Sequence, residues 1–455
     1  MIRAYTLTAP LLAVLAAACG TEVAPGDSGD TSRVRVRIEN IAPWTVLKSG
    51  VHARKVGGGM GALGSGDAYE LSFTAGAGQA ISFAAMLGES NDWFFAPGPA
   101  GIPLYDASGM PVSGDVTAHV GLWDAGTEHD QEPAVGADTG PMQDAPDQGA
   151  PDPIAMVRPL GASVALSDGS SFDLPAVDQM IRVTLTPQAD RRFVLRIENV
   201  STDSTLVTSQ GARQIHVSPL VWSLHIAAAP LFDQGAPDRE WGLEGLAEAG
   251  RTGDLAAAMA SLTGVPTAIS PGVVVLHQEG EPIYSLGLPD RGEGLERIAE
   301  DGDPSVLSQR FLTAAPAGAR LTGVFDTAVG AYAPGPARPG EAYEIVLDVE
   351  PGDRLSFATM FGWSNDWFFA TPAGGIELTG ADGAPLAGDV SHLVGLYDAG
   401  SELDEEIAIG AHTAPQQAER DSGPADPIDQ VRAVGAAEYQ RDASAHLRVT
   451  LIPEQ

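Results

Sequence analysis

Three carboxylates stand in one register twice along this chain. Asp92, Asp124 and Glu128 recur as Asp366, Asp398 and Glu402, each 274 positions later. Carboxylate oxygens suit a hard cation such as calcium, which takes several oxygen ligands. Asp124 and Glu128 flank Gly126, and Asp398 and Glu402 flank Gly400. A glycine there lets the loop curl until both side chains face one point. Asp92 or Asp366, arriving from a separate loop, would close the site. Like charges gathered this way repel unless a cation joins them. The expectation is therefore one metal site in each half. The plainer reading is ordinary loop acidity, since acidic loop residues are common and a duplication copies them all.

The elements that must position these side chains come as a repeat. Ser90-Asn91-Asp92-Trp93-Phe94-Phe95-Ala96 returns as Ser364-Asn365-Asp366-Trp367-Phe368-Phe369-Ala370. Asp152-Pro153-Ile154 and Val157-Arg158 return in the same register as Asp426-Pro427-Ile428 and Val431-Arg432. An opening strand is shared as well: Val36-Arg37-Ile38-Glu39-Asn40 matches Leu195-Arg196-Ile197-Glu198-Asn199. So is a closing one, Ile181-Arg182-Val183-Thr184-Leu185 and Leu447-Arg448-Val449-Thr450-Leu451. Apolar residues alternate with polar ones in these segments, the pattern of half-buried strands. Gly, Pro and Asp cluster between them as turn signals. The fold class is accordingly all-β, two antiparallel β-sandwich domains.

Read linearly, the first domain spans 32–187 and the second 191–455. The second then carries extra chain, a duplicated segment over 219–312. His225, Gly242-Leu243-Glu244 and Ala247-Glu248 recur 52 residues later as His277, Gly294-Leu295-Glu296 and Ala299-Glu300. Each unit predicts an apolar strand, a turn and a short helix, with helices at 243–248, 254–262 and 295–300. On this division the first copy is shortened and lacks the helical stretch, while the second holds it twice as an insertion.

The chain has 455 residues, 60 acidic against 25 basic, for a net charge of −35. That balance excludes nucleic acid as a partner, because phosphate binding needs Lys and Arg patches. Residues 7–18 form an apolar stretch too short to span a bilayer. It ends at Cys19, the one cysteine in the chain. Leu15-Ala16-Ala17-Ala18-Cys19 resembles a bacterial lipoprotein signal, which implies lipidation at Cys19 and an exported protein, anchored in the outer membrane or secreted. Residues 20–31 read as a polar tether. Within it Gly26-Asp27-Ser28-Gly29-Asp30 resembles a trypsin-like nucleophile motif, but no protease pattern surrounds it.

The segments Ser90–Phe95 and Asp124–Glu128, with their copies, and Leu295–Asp303 together resemble the spondin domain family. That resemblance implies C2-like β-sandwiches. It implies calcium held by Asp92, Asp124 and Glu128, and by Asp366, Asp398 and Glu402. The function expected is then a calcium-binding adhesion or binding protein of the cell envelope, not an enzyme, with an extracellular protein or glycan as partner. The alternatives are a metal-dependent hydrolase of envelope polymers and a structural spacer. Trp93, Phe94 and Phe95 are expected in the core beside the metal loop. His225 and His277 are expected as structural residues at strand ends.

Overall fold

The computed structural model describes residues 32–454; Cys19, the apolar leader and the tether lie outside them. The chain is mostly β, with antiparallel sheets throughout. No helix among the described residues is long and apolar enough to cross a membrane.

Two similar modules account for most of the chain. In the N-terminal one, a seven-stranded sheet runs in the order Val46–His52, Val217–His225, Ala80–Leu87, Trp93–Pro97, Val120–Asp124, Arg158–Pro159, with Ile102–Pro103 added on Ala80–Leu87. A four-stranded sheet, Ala68–Thr74, Arg192–Asn199, Ile181–Pro187, Gly114–Asp115, packs on it. Phe83, Trp93 and Phe95 from the larger sheet share one core with Val183, Leu195 and Ile197 from the smaller. The C-terminal module repeats this plan. Its seven-stranded sheet contains Ala319–Phe325, Ile269–His277, Arg354–Phe361, Trp367–Ala370 and Gly395–Asp398.

Helices cover the outer face of each larger sheet. Leu243–Ala249 and Gly253–Ser261 set Leu243, Leu246, Leu255 and Met259 against Phe94, Ala96 and Val221. Leu295–Asp301 and Ser305–Thr313 do the same with Phe368 and Ala370. This layering explains the unbroken apolar run Trp93–Ala96. Alternate side chains leave opposite faces of a strand, and here both faces are covered. Trp93 and Phe95 enter the intersheet core, while Phe94 and Ala96 enter the core beneath the helices. All these aromatics are buried, as expected.

The division between modules differs from the linear reading. The first strand, Ser32–Asn40, is an inner strand of the C-terminal module's four-stranded small sheet. It pairs with Ala342–Val349 on one side and Leu447–Glu454 on the other. The strand expected to open the second domain, Arg192–Asn199, instead pairs with Ile181–Pro187 and Ala68–Thr74 in the N-terminal module. The physical cause is a tight hairpin. Asp190 and Arg191 both have positive φ, 56° and 54°, and the Arg192 amide donates to Ala189 O at 3.2 Å. Successive positive-φ residues match the right-handed twist of a hairpin, so residues 188–191 are a turn and not a domain linker. Val217–His225 and the first helix pair then also join the N-terminal module. Neither copy is shortened, and each module owns one helix pair.

The N-terminal module is thus a circular permutant of the C-terminal one. It is inserted between the latter's first strand and Ile269–His277. The two chain crossings lie side by side, with Thr45 and Val46 amides donating to Leu262 O and Gly264 to Val46 O. Between modules, Gln79 Nε2 donates to Ala408 O at 2.7 Å and Arg191 Nη1 to Gln416 Oε1 at 2.8 Å.

Candidate metal centre

Strand ends and the loops after them bring the acidic motifs together. Trp93 pairs with Asp124 across neighbouring strands, and Trp367 with Asp398. Asp92 and Asp366, one residue ahead, therefore sit beside the loops that follow Asp124 and Asp398. Gly126 and Gly400 have φ of 71° and 72°. A Cβ on Gly126 would fall 2.5 Å from Met156 O, and one on Gly400 would fall 2.5 Å from Gln430 O. Both the conformation and the close approach call for glycine. The turn is tied by Gly126 N–H donating to Asp124 Oδ1 at 2.5 Å, and Gly400 N–H to Asp398 Oδ1 at 2.6 Å.

The oxygens that converge within 4.8 Å are those of Asp92, Asp124 and Asp130, and in the other module Asp366, Asp398 and Asp404. Of the expected ligands, the two aspartates of each set meet. The glutamate takes another path. Glu128 contributes its amide, which donates to Asp92 Oδ2 at 3.0 Å, while its own Oε1 accepts from Gly149 N–H at 2.7 Å. Glu402 repeats this with Asp366 at 3.0 Å and Gly423 at 2.6 Å. The third carboxylate of each trio is thus Asp130 or Asp404. Sequence reasoning passed over both, although they share the 274-residue register.

An arginine also enters the centre. Arg158 Nη2 contacts the carboxylates of Asp124, Asp130 at 3.2 Å and Asp152 at 2.6 Å; Arg432 contacts Asp398, Asp404 at 3.2 Å and Asp426 at 2.6 Å. The contacts with Asp124 and Asp152 are ion pairs. Each guanidinium thus meets three carboxylates, and Asp92 or Asp366 stands beside them without a cation of its own. Asp92 Oδ1, Glu128 Oε2, Asp366 Oδ1 and Glu402 Oε2 have no partner at all, although these residues are at most 3 % exposed. A buried carboxylate oxygen without a partner carries the full desolvation cost of the group. These orphaned oxygens are what a cation would satisfy, so the residues present could hold a metal ion.

Burial dominates the electrostatics. Desolvation pushes the Asp92 and Asp124 carboxyls up, and the charges of Asp130 and, for Asp124, of Asp92 push them further. Asp366 and Asp398 are raised for the same reasons. Two further glutamates stand beside the centre on the first helix of each pair. Burial raises Glu248 to about 7 and Glu300 to about 8, helped by the charges of Glu128 and Glu402. Thr127 Oγ1 links Asp92 Oδ2, at 3.0 Å, to Glu248 Oε1, at 3.1 Å. Ser401 Oγ links Glu300 Oε1, at 2.8 Å, to Asp366 Oδ2, at 3.2 Å. The 52-residue repeat marks Glu248 and Glu300 as equivalents, but helix and loop spacing alone does not show that they meet the acidic loops.

His225 and His277 lie apart from the trios. Their Nε2 atoms meet Ser82 Oγ at 2.9 Å and Ser356 Oγ at 2.8 Å, and their Nδ1 atoms meet backbone carbonyls. Burial lowers both below the usual histidine range, so each is a neutral, hydrogen-bonded residue at a strand end. No family model matches the chain, and no curated protein matches it.

Proposed function

We propose that this protein is a calcium-dependent binding protein of the cell envelope, built from two spondin-like, C2-like β-sandwich modules. The observation that carries the reading is the repeated set of partnerless buried carboxylate oxygens on Asp92, Glu128, Asp366 and Glu402. Asp92, Asp124 and Asp130 would hold one ion, and Asp366, Asp398 and Asp404 a second. Glu128 and Glu402 stand outside these trios, each with one buried oxygen that lacks a partner. A bound ion would neutralise the loops and fix their shape, so that they present a surface to an extracellular protein or glycan. Extracellular calcium modules typically have dissociation constants of about 10⁻⁴–10⁻³ M. At roughly 1 mM calcium and the tighter limit, linkage supplies only about 1.4 kcal/mol per site. The ion therefore orders loops more than it upholds the fold. Anchoring through a lipid on Cys19 belongs to the same reading.

Thermal melts with and without calcium, on the wild type and on Asp92→Asn and Asp366→Asn variants, test it. The expected result is a calcium-dependent rise in melting temperature that each substitution diminishes. A wild-type melt indifferent to calcium overturns the reading. Metal-dependent turnover of envelope glycans, esters or peptides would favour the hydrolase alternative instead.

A further inference from the structure

We infer that the C-terminal module holds an additional divalent-cation site, formed by Glu296, Glu300 and Asp421, next to the aspartate centre of that module but sharing no carboxylate with it. Their carboxylate oxygens lie within 4.8 Å of one another. Glu296 and Glu300 stand one turn apart on the helix Leu295–Asp301, so they share a face. Asp421 reaches them from the loop that precedes Gly423.

The cluster alone would say little, because acidic groups gather on many surfaces. The second observation is the state of Glu300. It is 1 % exposed, its Oε1 accepts from Ser401 Oγ at 2.8 Å, and its Oε2 has no partner. The neighbouring cations are committed elsewhere. Arg297 pairs with Asp301 at 2.8 Å, and Arg420 pairs with Asp303 at 3.4 Å and Asp301 at 3.9 Å. A buried, partnerless carboxylate oxygen flanked by two more carboxylates calls for a positive ion.

The equivalent residues of the N-terminal module make the contrast. There Glu244, Glu248 and Asp147 take these positions, and they do not converge within 4.8 Å. The Asp147 amide donates to Glu248 Oε2 at 3.0 Å, and Thr127 Oγ1 lies 3.1 Å from Oε1. Both oxygens are satisfied by the protein itself. The buried glutamate is thus closed off by hydrogen bonds in one module and left with a free oxygen among converging acids in the other. The donors are all oxygen, which selects a hard ion such as calcium over softer metals.

The test is stoichiometry, read by calorimetric titration of the full chain with calcium chloride. The aspartate centres account for two ions and this site for a third. The double variant Glu296→Gln/Asp421→Asn changes only partly or fully exposed side chains, so folding should be unaffected. It is expected to bind one ion fewer than the wild type. The matching variant Glu244→Gln/Asp147→Asn is expected to lose none. Equal stoichiometry in the wild type and Glu296→Gln/Asp421→Asn overturns the third site while leaving the paired centres standing. Loss from the N-terminal variant instead overturns it too. No binding in the wild type overturns both this site and the proposed function.

Discussion

Replacing Ile38 with alanine should destabilise the C-terminal module, although Ile38 lies in the first described strand, ahead of the whole N-terminal module. Ile38 is fully buried and faces Tyr343 on one neighbouring strand and Val449 on the other. Truncating a buried isoleucine to alanine costs about 2–5 kcal/mol. Taking about 3 kcal/mol, a module of this size should melt roughly 6–12 °C lower. Amide exchange through global opening of that module should quicken about a hundredfold. The matching substitution Ile197→Ala removes a side chain that faces Val183 and Tyr69. It should act on the N-terminal module alone. Hydrogen-exchange mass spectrometry separates the two cases. Ile38→Ala should lower protection in Arg354–Phe361 and Trp367–Ala370, and Ile197→Ala in Ala80–Leu87 and Trp93–Pro97. The opposite assignment, with Ile38→Ala loosening Ala80–Leu87, would refute the permuted topology.

The buried acids predict a pH effect with a definite sign. Glu300 is raised to about 8 from an ordinary 4.5, so its contribution without metal is complete below about pH 4.5 and is lost as pH rises through about 8. Metal-free protein should therefore lose up to about 1.4 kcal/mol per pH unit for each such group, calcium should cancel the slope, and parallel melting curves would count against this. Gly149→Ala and Gly423→Ala would each drive a Cβ into the Glu128 or Glu402 carboxylate; each should weaken calcium binding in its own module alone, measured by calorimetry. Arg158→Met leaves Asp124, Asp130 and Asp152 without their guanidinium and should cost about 3–5 kcal/mol in calcium-free buffer, an effect that added calcium reduces.

Much of this architecture was legible in the residue pattern. Alternation located the strands around Val34–Ile38 and Ile181–Leu185, and the helices at 243–248 and 295–300 appear within a residue or so of expectation. Asp92 and Asp124 do converge, as do Asp366 and Asp398. What escaped were features set by partner choice and not by local preference. The segments Val36–Asn40 and Leu195–Asn199 are nearly identical, so their patterns fit either small sheet equally. The turn at Asp190 and Arg191 decides the matter, through two successive positive φ values; Asp tolerates that conformation, but Arg does not signal it. At the site, Asp130 and Asp404 replace the expected glutamates because Glu128 and Glu402 turn toward Gly149 and Gly423. Arg158 and Arg432 were visible as repeated residues, but their place, each among three carboxylates, depends on a strand pairing, Asp124 with Arg158 and Asp398 with Arg432.

Crystals grown in calcium, with the ions located by anomalous scattering, address the metal assignment most directly. The expected map shows an ion in each module within about 2.3–2.6 Å of carboxylate oxygens, with Asp92 Oδ1 and Asp366 Oδ1 among its ligands. Anomalous maps without a peak at either aspartate trio, with water or a guanidinium beside those two oxygens instead, would contradict it.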